Sequence, residues 1–266
     1  MIWIKSAACD QKRALWARTH AVWSADDQEG AIVNCHPTAC GDGGCRSCMV
    51  RLVSVCASLT DDELALLESL AHPTHFASGA TLFTQGREAH SVYNVTAGVV
   101  RLYKLLSDGR RQVVGFALPG DFLGLAMRDA YGFSADAIGD VAVCAFARGA
   151  YTALVDAKPH LLKRLHEFAT HELTLAHEQM MLLGRRTAEE KLICFLLGMQ
   201  QRWARLGKPS VTVPLPMTRQ DIADFLGLTI ETVSRTFTRL AREKTILIVP
   251  GGVRVMNAAR MSAVAA

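Results

Sequence analysis

Residues 217–240 read MTRQDIADFLGLTIETVSRTFTRL, which is two short amphipathic segments separated by a glycine. Thr218 can cap the first segment together with Asp221, three residues further on, in a capping box. Gly227 can supply the left-handed residue that ends this helix, and Thr229 can cap the second one. The apolar positions fall on one inner face and are Ile222, Phe225, Leu226, Ile230, Val233, Phe237 and Leu240. The pattern predicts a helix-turn-helix.

The outer face of the second predicted helix carries Glu231, Ser234 and Arg235, whose spacing places them side by side near its N-terminal end. A carboxylate can accept from the amino group of cytosine, and a guanidinium can donate to O6 and N7 of guanine. Each good contact of this kind contributes about 1 to 3 kcal/mol of base discrimination. Solvated helix surface is the alternative interpretation of the same side chains. The residues that we predict to contact DNA are Glu231, Ser234, Arg235, Thr218, Thr229 and Arg239.

The C-terminal segment around these helices also indicates nucleic-acid binding. Ile246 to Val255 contains two short β segments around Pro250-Gly-Gly and predicts the hairpin wing of a winged helix. Residues 205–266 carry nine basic and four acidic side chains, so this segment has a net charge of +5 while the rest of the chain has −1. A basic terminal module on a nearly neutral body indicates a polyanion-binding domain, although a solvated basic face often has the same composition.

The composition of the whole chain is that of a folded protein. Of its 266 residues, 50% are hydrophobic and 20% are charged, which excludes global disorder. The longest apolar runs, such as Leu192 to Met199, are too short to span a bilayer, and Lys5, Asp10 and Lys12 interrupt any signal-like start. We therefore expect a cytoplasmic protein that does not bind membranes. No Ser/His/Asp constellation, phosphate loop or pair of carboxylates in the sequence predicts an enzyme.

A β-rich segment is predicted from Phe76 to Phe146, where short β segments alternate with glycine turns in the manner of a small barrel or roll. The predicted turn residues are Gly79, Gly86, Gly98, Gly109, Gly120 and Gly139. Before this segment, Thr60 and Glu63 can form the capping box of a short helix. Residues 1–34 show no sustained hydrophobic period, and we expect them to form a flexible extension.

A long helix is predicted from Pro159 to about Gly184, and a second one from Thr187 to about Leu206. The first carries a stripe with the alternating spacing of four and three that is typical of a coiled-coil seam. The seam residues are Leu162, His166, Ala169, Leu173, Ala176, Met180 and Leu183. A second apolar stripe contains Leu165, Phe168, Leu175 and Leu182. One stripe can pack on the protein's own β domain while the other meets a partner, or both can form one wide buried face of a monomer.

The order of elements from Leu59 to Met256 resembles the CRP/FNR family of transcription regulators. The resemblance is sharpest from Leu215 to Arg235, where Glu231-Thr-Val-Ser-Arg235 is similar to the FNR-type signature. Its serine stands where the cAMP-dependent branch usually has glycine. The resemblance implies a homodimer that reads a TTGAT-type DNA palindrome with Glu231, Ser234 and Arg235 on the base edges. It also implies an activator that contacts RNA polymerase, through loops such as residues 127–132.

The same resemblance implies the fold class and the domains. The class is α+β, with an N-terminal β-roll of the cyclic-nucleotide-binding type, a long dimerisation helix and a C-terminal winged helix-turn-helix. The ranges are 1–34 for the extension, 35–158 for a cysteine-bearing loop and the β-roll sensor domain, 159–186 for the dimerisation helix, and 187–266 for the DNA-binding domain. The seam contacts of such a dimer would come from Leu162, Ala169, Leu173, Ala176, Met180 and Leu183.

Five of the eight cysteines lie in one short stretch of the chain, at positions 35, 40, 45, 48 and 56. Clustered thiols in a reducing compartment indicate metal or thiol chemistry rather than structural disulfides. The spacing Cys45-x2-Cys48-x7-Cys56, with Cys144 far downstream, resembles the ligand set of oxygen-sensing FNR proteins of the FnrN type, which bind a 4Fe-4S cluster. Four thiolates suit the soft irons of such a cluster, with three of them on a flexible loop and the fourth on a strand.

By this resemblance, Cys45, Cys48, Cys56 and Cys144 hold a 4Fe-4S cluster that stabilises the DNA-binding homodimer at low oxygen. Oxygen would degrade the cluster and shift the packing against the long helix. The protein would then dissociate from its operators at genes of anaerobic or microaerobic metabolism. The cyclic-nucleotide branch of the family needs an Arg-Ser or Arg-Thr pair to hold the cyclic phosphate. Residues 120–139 contain no such pair, so we expect no cyclic nucleotide to bind.

Three other interpretations of the cysteines remain open. Cys40-x4-Cys45-x2-Cys48 has the spacing of plant-type 2Fe-2S ligands, although nothing else in the chain resembles a ferredoxin domain. Zinc also takes four thiolates, and spacing alone does not distinguish it from iron. The third interpretation is a regulator of the same family that has no cluster and senses through haem or thiols. We expect Cys194 to lie in the core and Cys9, Cys35 and Cys40 to be exposed thiols.

Overall fold

A computed structural model of the chain describes residues 44–124, 129–185, 187–207 and 210–265. The N-terminal part contains 3-10 turns at Gly44–Ser47, Arg51–Val53 and Val55–Ser58 and then helix α1 (Asp61–Leu70). The roll contains strands β1 (His72–Phe76), β2 (Thr81–Phe83), β3 (Ser91–Leu105), β4 (Arg111–Ala117), β5 (Phe122–Leu123) and β6 (Ser134–Ala147). Helices α2 (Arg148–Asp156), α3 (Pro159–Arg185) and α4 (Ala188–Arg205) follow. The C-terminal part contains β7 (Thr212–Pro214), α5 (Arg219–Leu226), α6 (Ile230–Arg242), β8 (Ile246–Val249), β9 (Gly252–Val255) and α7 (Ala258–Ala265).

The roll is one antiparallel sheet in the order β1-β6-β3-β4, in which β2 also pairs with β6 and β5 with β3. The predicted turns at Gly98 and Gly139 are wrong, because both glycines lie inside the long strands β3 and β6. Each has a positive φ, 81° for Gly98 and 69° for Gly139, and the register between the two strands shifts beside Gly98. A Cβ atom at Gly98 would overlap the carbonyl oxygen of Asp140. These glycines therefore bend the strands at a bulge instead of ending them.

Other elements also differ from the sequence-based expectation. Strand β1 begins at His72 rather than Phe76, and the cysteine segment forms 3-10 turns rather than a flexible loop. Helix α2 was not predicted, because it follows β6 directly and its N-cap, Ala147, makes no side-chain hydrogen bond. Helix α7 was also missed, although Asn257 carries a signal: its Oδ1 accepts from the backbone N–H of Arg260 at 2.9 Å.

The two apolar stripes of α3 have different environments. Leu161, Leu165 and Leu182 are buried against the body of the protein. On the predicted seam, the exposed fractions are 54% for Leu162, 56% for Leu173 and 61% for Met180. The interpretation of one wide buried face is therefore wrong. The exposed stripe is available to a second copy, and its role in dimerisation stays a prediction.

The winged helix-turn-helix forms as its local signals predicted. Thr218 and Asp221 make the capping box of α5, Gly227 ends this helix in the left-handed conformation, and the Thr229 side chain caps α6. The hairpin of β8 and β9 gains β7 as a third strand. Ile230 is the exception on the inner face, because it is exposed at the first position of α6. The predicted α+β class, with a roll, a long helix and a C-terminal winged helix-turn-helix, is confirmed.

One hydrophobic core joins the roll to the C-terminal part. Phe116 and Leu118 of the roll share it with Leu196 of α4, Leu226 of α5 and Phe237 of α6. Cys194 is half-buried and packs against the same core, which agrees with its expected place. In the part of the chain that the structure describes, no helix is both long and apolar enough to cross a membrane.

Candidate functional site

The predicted base-reading side chains all point to solvent from α6. Glu231, Ser234 and Arg235 are exposed, while Val233 and Phe237 on the opposite face are buried. The Arg235 Nε–H donates to the carbonyl oxygen of Glu231 at 3.4 Å. The backbone N–H of Glu231, the Thr229 hydroxyl and the charge of Arg235 lower the pKa of the Glu231 carboxyl. At neutral pH this end of the helix therefore presents an acceptor-only carboxylate beside a donor-only guanidinium.

The other predicted DNA contacts are less free to move. Thr218 and Thr229 are exposed N-cap residues, and the Thr218 hydroxyl donates to Asp221 Oδ2 at 2.8 Å. Arg239 Nη2 forms an ion pair with Glu189 Oε2 of α4 at 2.8 Å. Glu189 Oε1 also lies 3.2 Å from Arg260 Nη2 of α7. DNA would have to compete with Glu189 for Arg239, and no local sequence signal points to this pairing.

Three of the four predicted cysteine ligands belong to one apolar cluster or pack against it. Cys56 on the third 3-10 turn and Cys144 on β6 are buried in it, and half-buried Cys45 packs against it. Cys48 is also half-buried, and its backbone N–H donates to the carbonyl oxygen of Cys45 at 3.4 Å. The backbone N–H of Cys45 donates to Glu68 Oε2 of α1 at 3.4 Å, which ties the first turn to that helix. Cys9, Cys35 and Cys40, the last of which belongs to the alternative 2Fe-2S set, lie outside the described residues.

Burial controls the protonation of the Cys56 thiol. Burial raises the pKa of Cys56, a hydrogen bond with Ser54 opposes this, and the nearby Cys48 sulfur raises it further. Burial also raises the pKa of Tyr151, with an added contribution from Cys56. Without a metal, Cys56 is therefore a neutral thiol at pH 7. A metal would have to displace its proton.

An unused hydroxyl lies in the apolar cluster that contains the predicted ligands Cys56 and Cys144. Tyr151 Oη is buried without a hydrogen-bond partner, and Tyr151 belongs to the same apolar cluster as Cys56 and Cys144. A buried hydroxyl of this kind costs about 1–3 kcal/mol unless something accepts from it, and a thiolate sulfur can. Among the described residues, no three His, Cys, Asp or Glu side chains converge as one metal ion requires.

The family models that match the chain cover both of its parts. "Bacterial regulatory proteins, crp family" matches residues 215–246, and "Cyclic nucleotide-binding domain" matches residues 73–158. The first range holds the helix-turn-helix and the second the roll with α2. The roll and the helix-turn-helix thus each match a known family model.

Similar proteins extend the match to most of the chain. The transcriptional activatory protein AadR of Rhodopseudomonas palustris is 53% identical over 230 residues, which cover 86% of this chain and 96% of AadR. The nitrogen fixation regulation protein FixK of Bradyrhizobium diazoefficiens is 53% identical over 222 residues, or 84% and 94% of the two chains. The solved structure of FixK2 from Bradyrhizobium japonicum has a TM-score of 0.69 at 34% identity and covers 74% of this chain and 98% of FixK2. AadR and FixK are named as regulatory proteins and not as enzymes, and the chain belongs to the CRP/FNR family of transcription regulators.

Proposed function

We propose that this regulator is an oxygen-responsive activator that holds a 4Fe-4S cluster on Cys45, Cys48, Cys56 and Cys144 and binds DNA as a homodimer. One observation carries the proposal: the apolar cluster that buries Cys56 and Cys144 also buries Leu161 and Leu165 of α3. The cysteines thus lie against the helix that carries the exposed seam. The activator role is supported by the name of the relative AadR.

The thiols can influence α3 through direct packing. Val55 and Cys56 of the third 3-10 turn lie in the cluster with Leu161, and Leu162, the next residue, begins the exposed seam. When bound, a 4Fe-4S cluster links four thiolates to one another through an oxygen-sensitive group. Cys45 on the first turn and Cys48 just after it would then be tied to Cys56 and Cys144, which would fix the segment from Gly44 to Ser58 against the start of α3. Without that tie, the segment is held by apolar packing, by the hydrogen bond of Cys45 to Glu68 and by the ion pair of Arg51 with Asp61.

The geometry of DNA reading makes the dimer sensitive to α3. The half-sites of a palindrome lie about 34 Å apart along the duplex, so a dimer must present its two recognition helices at that separation. We infer that Glu231, Ser234 and Arg235 read a TTGAT-type half-site in genes of anaerobic or microaerobic metabolism. The regulator would act in the cytoplasm and contact RNA polymerase. The proposed loop for that contact, residues 127–132, lies partly outside the described residues.

A cyclic nucleotide is not the proposed effector, even though the roll matches that domain. The sequence from 120 to 139 has no Arg-Ser or Arg-Thr pair to hold a cyclic phosphate. Isothermal titration with cAMP should show no binding. Saturable binding at micromolar cAMP would contradict this part of the proposal.

Anaerobic purification with iron, sulfide and zinc analysis, and a visible spectrum before and after air, tests the cluster. We expect about four irons and four sulfides per chain and a charge-transfer band that bleaches in air. Cys144→Ser should lose the band, while the matched variant Cys194→Ser, on α4, should keep it. Operator affinity should fall on exposure to air. A zinc-loaded or iron-free protein that still binds DNA would reject the oxygen sensor and leave a regulator of another kind.

A further inference from the structure

An ion-pair network joins the roll to the first helix of the helix-turn-helix. Arg101 of β3 donates from Nη1 to Asp221 Oδ1 at 2.8 Å and from Nη2 to Asp136 Oδ2 at 2.9 Å. Arg111 of β4 donates from Nη2 to Asp221 Oδ1 at 2.9 Å and to Asp224 Oδ2 at 3.0 Å. Two arginines of one hairpin therefore hold two aspartates of α5.

The centre of this network is shielded from water. The Asp221 side chain is 2% exposed and that of Arg101 is 17% exposed. Asp221 Oδ2 accepts from the backbone N–H and the hydroxyl of Thr218, so both carboxylate oxygens are used. Burial opposes ionisation of Asp221, but the hydrogen bonds of Thr218 and Arg101 outweigh it and lower the pKa. A buried charge with this many partners is costly to leave unpaired, unlike a surface ion pair.

Other contacts fix the same helix from further sides. The Phe225 ring lies 5.5 Å from Phe116 of β4 and 5.6 Å from Phe195 of α4, measured between centroids. The Gln179 Nε2–H of α3 donates to the carbonyl oxygen of Phe225 at 2.8 Å. Gln112 of β4 donates to the carbonyl oxygen of Asp224. Helix α5 therefore has one defined orientation on the roll, on α3 and on α4.

This docking leaves the DNA-reading face open. Glu231, Ser234, Arg235 and the cap residue Thr218 are all exposed while α5 is docked. A contact that inhibited DNA binding by covering the protein surface would bury these side chains. The network instead orients the DNA-reading face. We therefore expect it to control the angle at which this face meets DNA and not whether the face is accessible.

We infer that Arg101 and Arg111 are positioning residues for DNA reading, which hold each helix-turn-helix at the angle that lets a dimer engage two half-sites together. Binding the second half-site is an intramolecular step whose effective concentration depends on how well the second module is oriented. A preorganised module loses less conformational freedom in that step. Neither arginine needs to touch DNA. The inference uses the proposed palindrome as its probe and does not depend on the cysteines.

The test compares two duplexes, one with the TTGAT-type palindrome and one with a single half-site, by fluorescence anisotropy of the full-length chain prepared anaerobically. For Arg101→Gln/Arg111→Gln we expect at least about a tenfold loss of affinity for the palindrome, where a tenfold change is about 1.4 kcal/mol. Affinity for the half-site should change by less than about twofold, since the recognition helix itself is intact. The matched control is Arg110→Gln, whose side chain is 78% exposed and pairs with Asp108 in the same hairpin. It should leave both affinities unchanged.

A charge swap distinguishes a specific loss of the ion pairs from a general failure of a variant to fold. Arg111→Glu should weaken palindrome binding, and Arg111→Glu/Asp224→Arg should restore it, because the new arginine faces the new carboxylate and Asp221. Sedimentation should show that all variants remain dimers. The inference is overturned if the double glutamine variant binds the palindrome more tightly, or if it loses affinity equally for both duplexes. It is also overturned if the variants lose the dimer or if the charge swap does not restore palindrome binding. If the wild-type chain does not prefer the palindrome to a scrambled duplex, the proposed operator fails. The same comparison is then made on a palindrome that the wild-type chain selects from random duplexes.

Discussion

Replacing Asp221 by asparagine removes one negative charge from between two arginines and keeps the shape of the side chain. Arg101 Nη1 and Arg111 Nη2, at 2.8 and 2.9 Å from Asp221 Oδ1, would then face a neutral amide. Breaking a buried ion pair by removing one partner costs about 3–5 kcal/mol. Here Arg101 keeps Asp136 and Arg111 keeps Asp224, and Arg111 is partly hydrated. We therefore expect a loss of about 2–4 kcal/mol in the free energy of unfolding.

Urea unfolding followed by far-ultraviolet circular dichroism measures this loss, at one fixed protein concentration so that association contributes equally. A single transition is expected, because one hydrophobic core includes Phe116 of the roll and Phe237 of α6. The matched control is Asp108→Asn, which breaks the exposed pair of Asp108 and Arg110 in the β3–β4 turn. Exposed pairs contribute less than about 1 kcal/mol. If Asp221→Asn costs no more than Asp108→Asn, the network does not hold the two parts of the protein together.

Three further predictions concern pH, the seam and base reading. Because the pKa of Asp221 is below its ordinary value of 3.8 in the folded protein, its contribution is present above that pH and is lost as the pH falls further. The difference in unfolding free energy between wild type and Asp221→Asn should thus be constant at neutral pH and shrink in acid urea titrations. Leu173→Glu on the exposed seam should raise the dimer dissociation constant at least about tenfold in sedimentation, with the monomer fold unchanged, whereas Thr174→Glu, beside it but off the seam, should have little effect. Glu231→Gln should change the preference at one base pair of the half-site by about 1–3 kcal/mol in competition binding, while Arg242→Gln on the same helix should not alter base preference.

The helix-turn-helix could be predicted from the sequence because its signals are local. Thr218, Asp221, Gly227 and Thr229 act within one or two turns of the residues that they cap. The long strands could not be predicted from the sequence, because a glycine with positive φ is equally compatible with a turn and with a bulge. Gly98 became a bulge only because β3 continues to pair with β6 beyond it. Pairing between distant strands is tertiary information that a local pattern does not contain.

The ion-pair network was hidden from the sequence for a related reason. Arg101 and Asp221 are 120 residues apart, and each is of a type that normally stays in water. The sequence predicts Asp221 as the partner of Thr218 in a capping box, and this role uses only one of its two carboxylate oxygens. The burial that makes its pairing with Arg101 and Arg111 strong arises only when the roll packs on α5. For the cysteines, spacing and resemblance suggested the set, but the shared burial of Cys56 and Cys144 with α3 required the fold.

Helix α3 contacts both the cysteine cluster and helix α5 of the helix-turn-helix, and it does so as one unbroken element. Strands β3 and β6 also connect them, with Asn94 opposite Cys144 and Arg101 opposite Asp136, but the register shifts between these two pairs. By contrast, α3 runs for 27 residues, about 40 Å at 1.5 Å per residue, without a break. Leu161 and Leu165 lie in the cysteine cluster near its start, and Gln179 binds Phe225 of α5 near its end. The exposed seam lies on another face of the same helix. A change in packing at the thiols could therefore reach both the dimer contact and the DNA-reading module by moving this one rigid element.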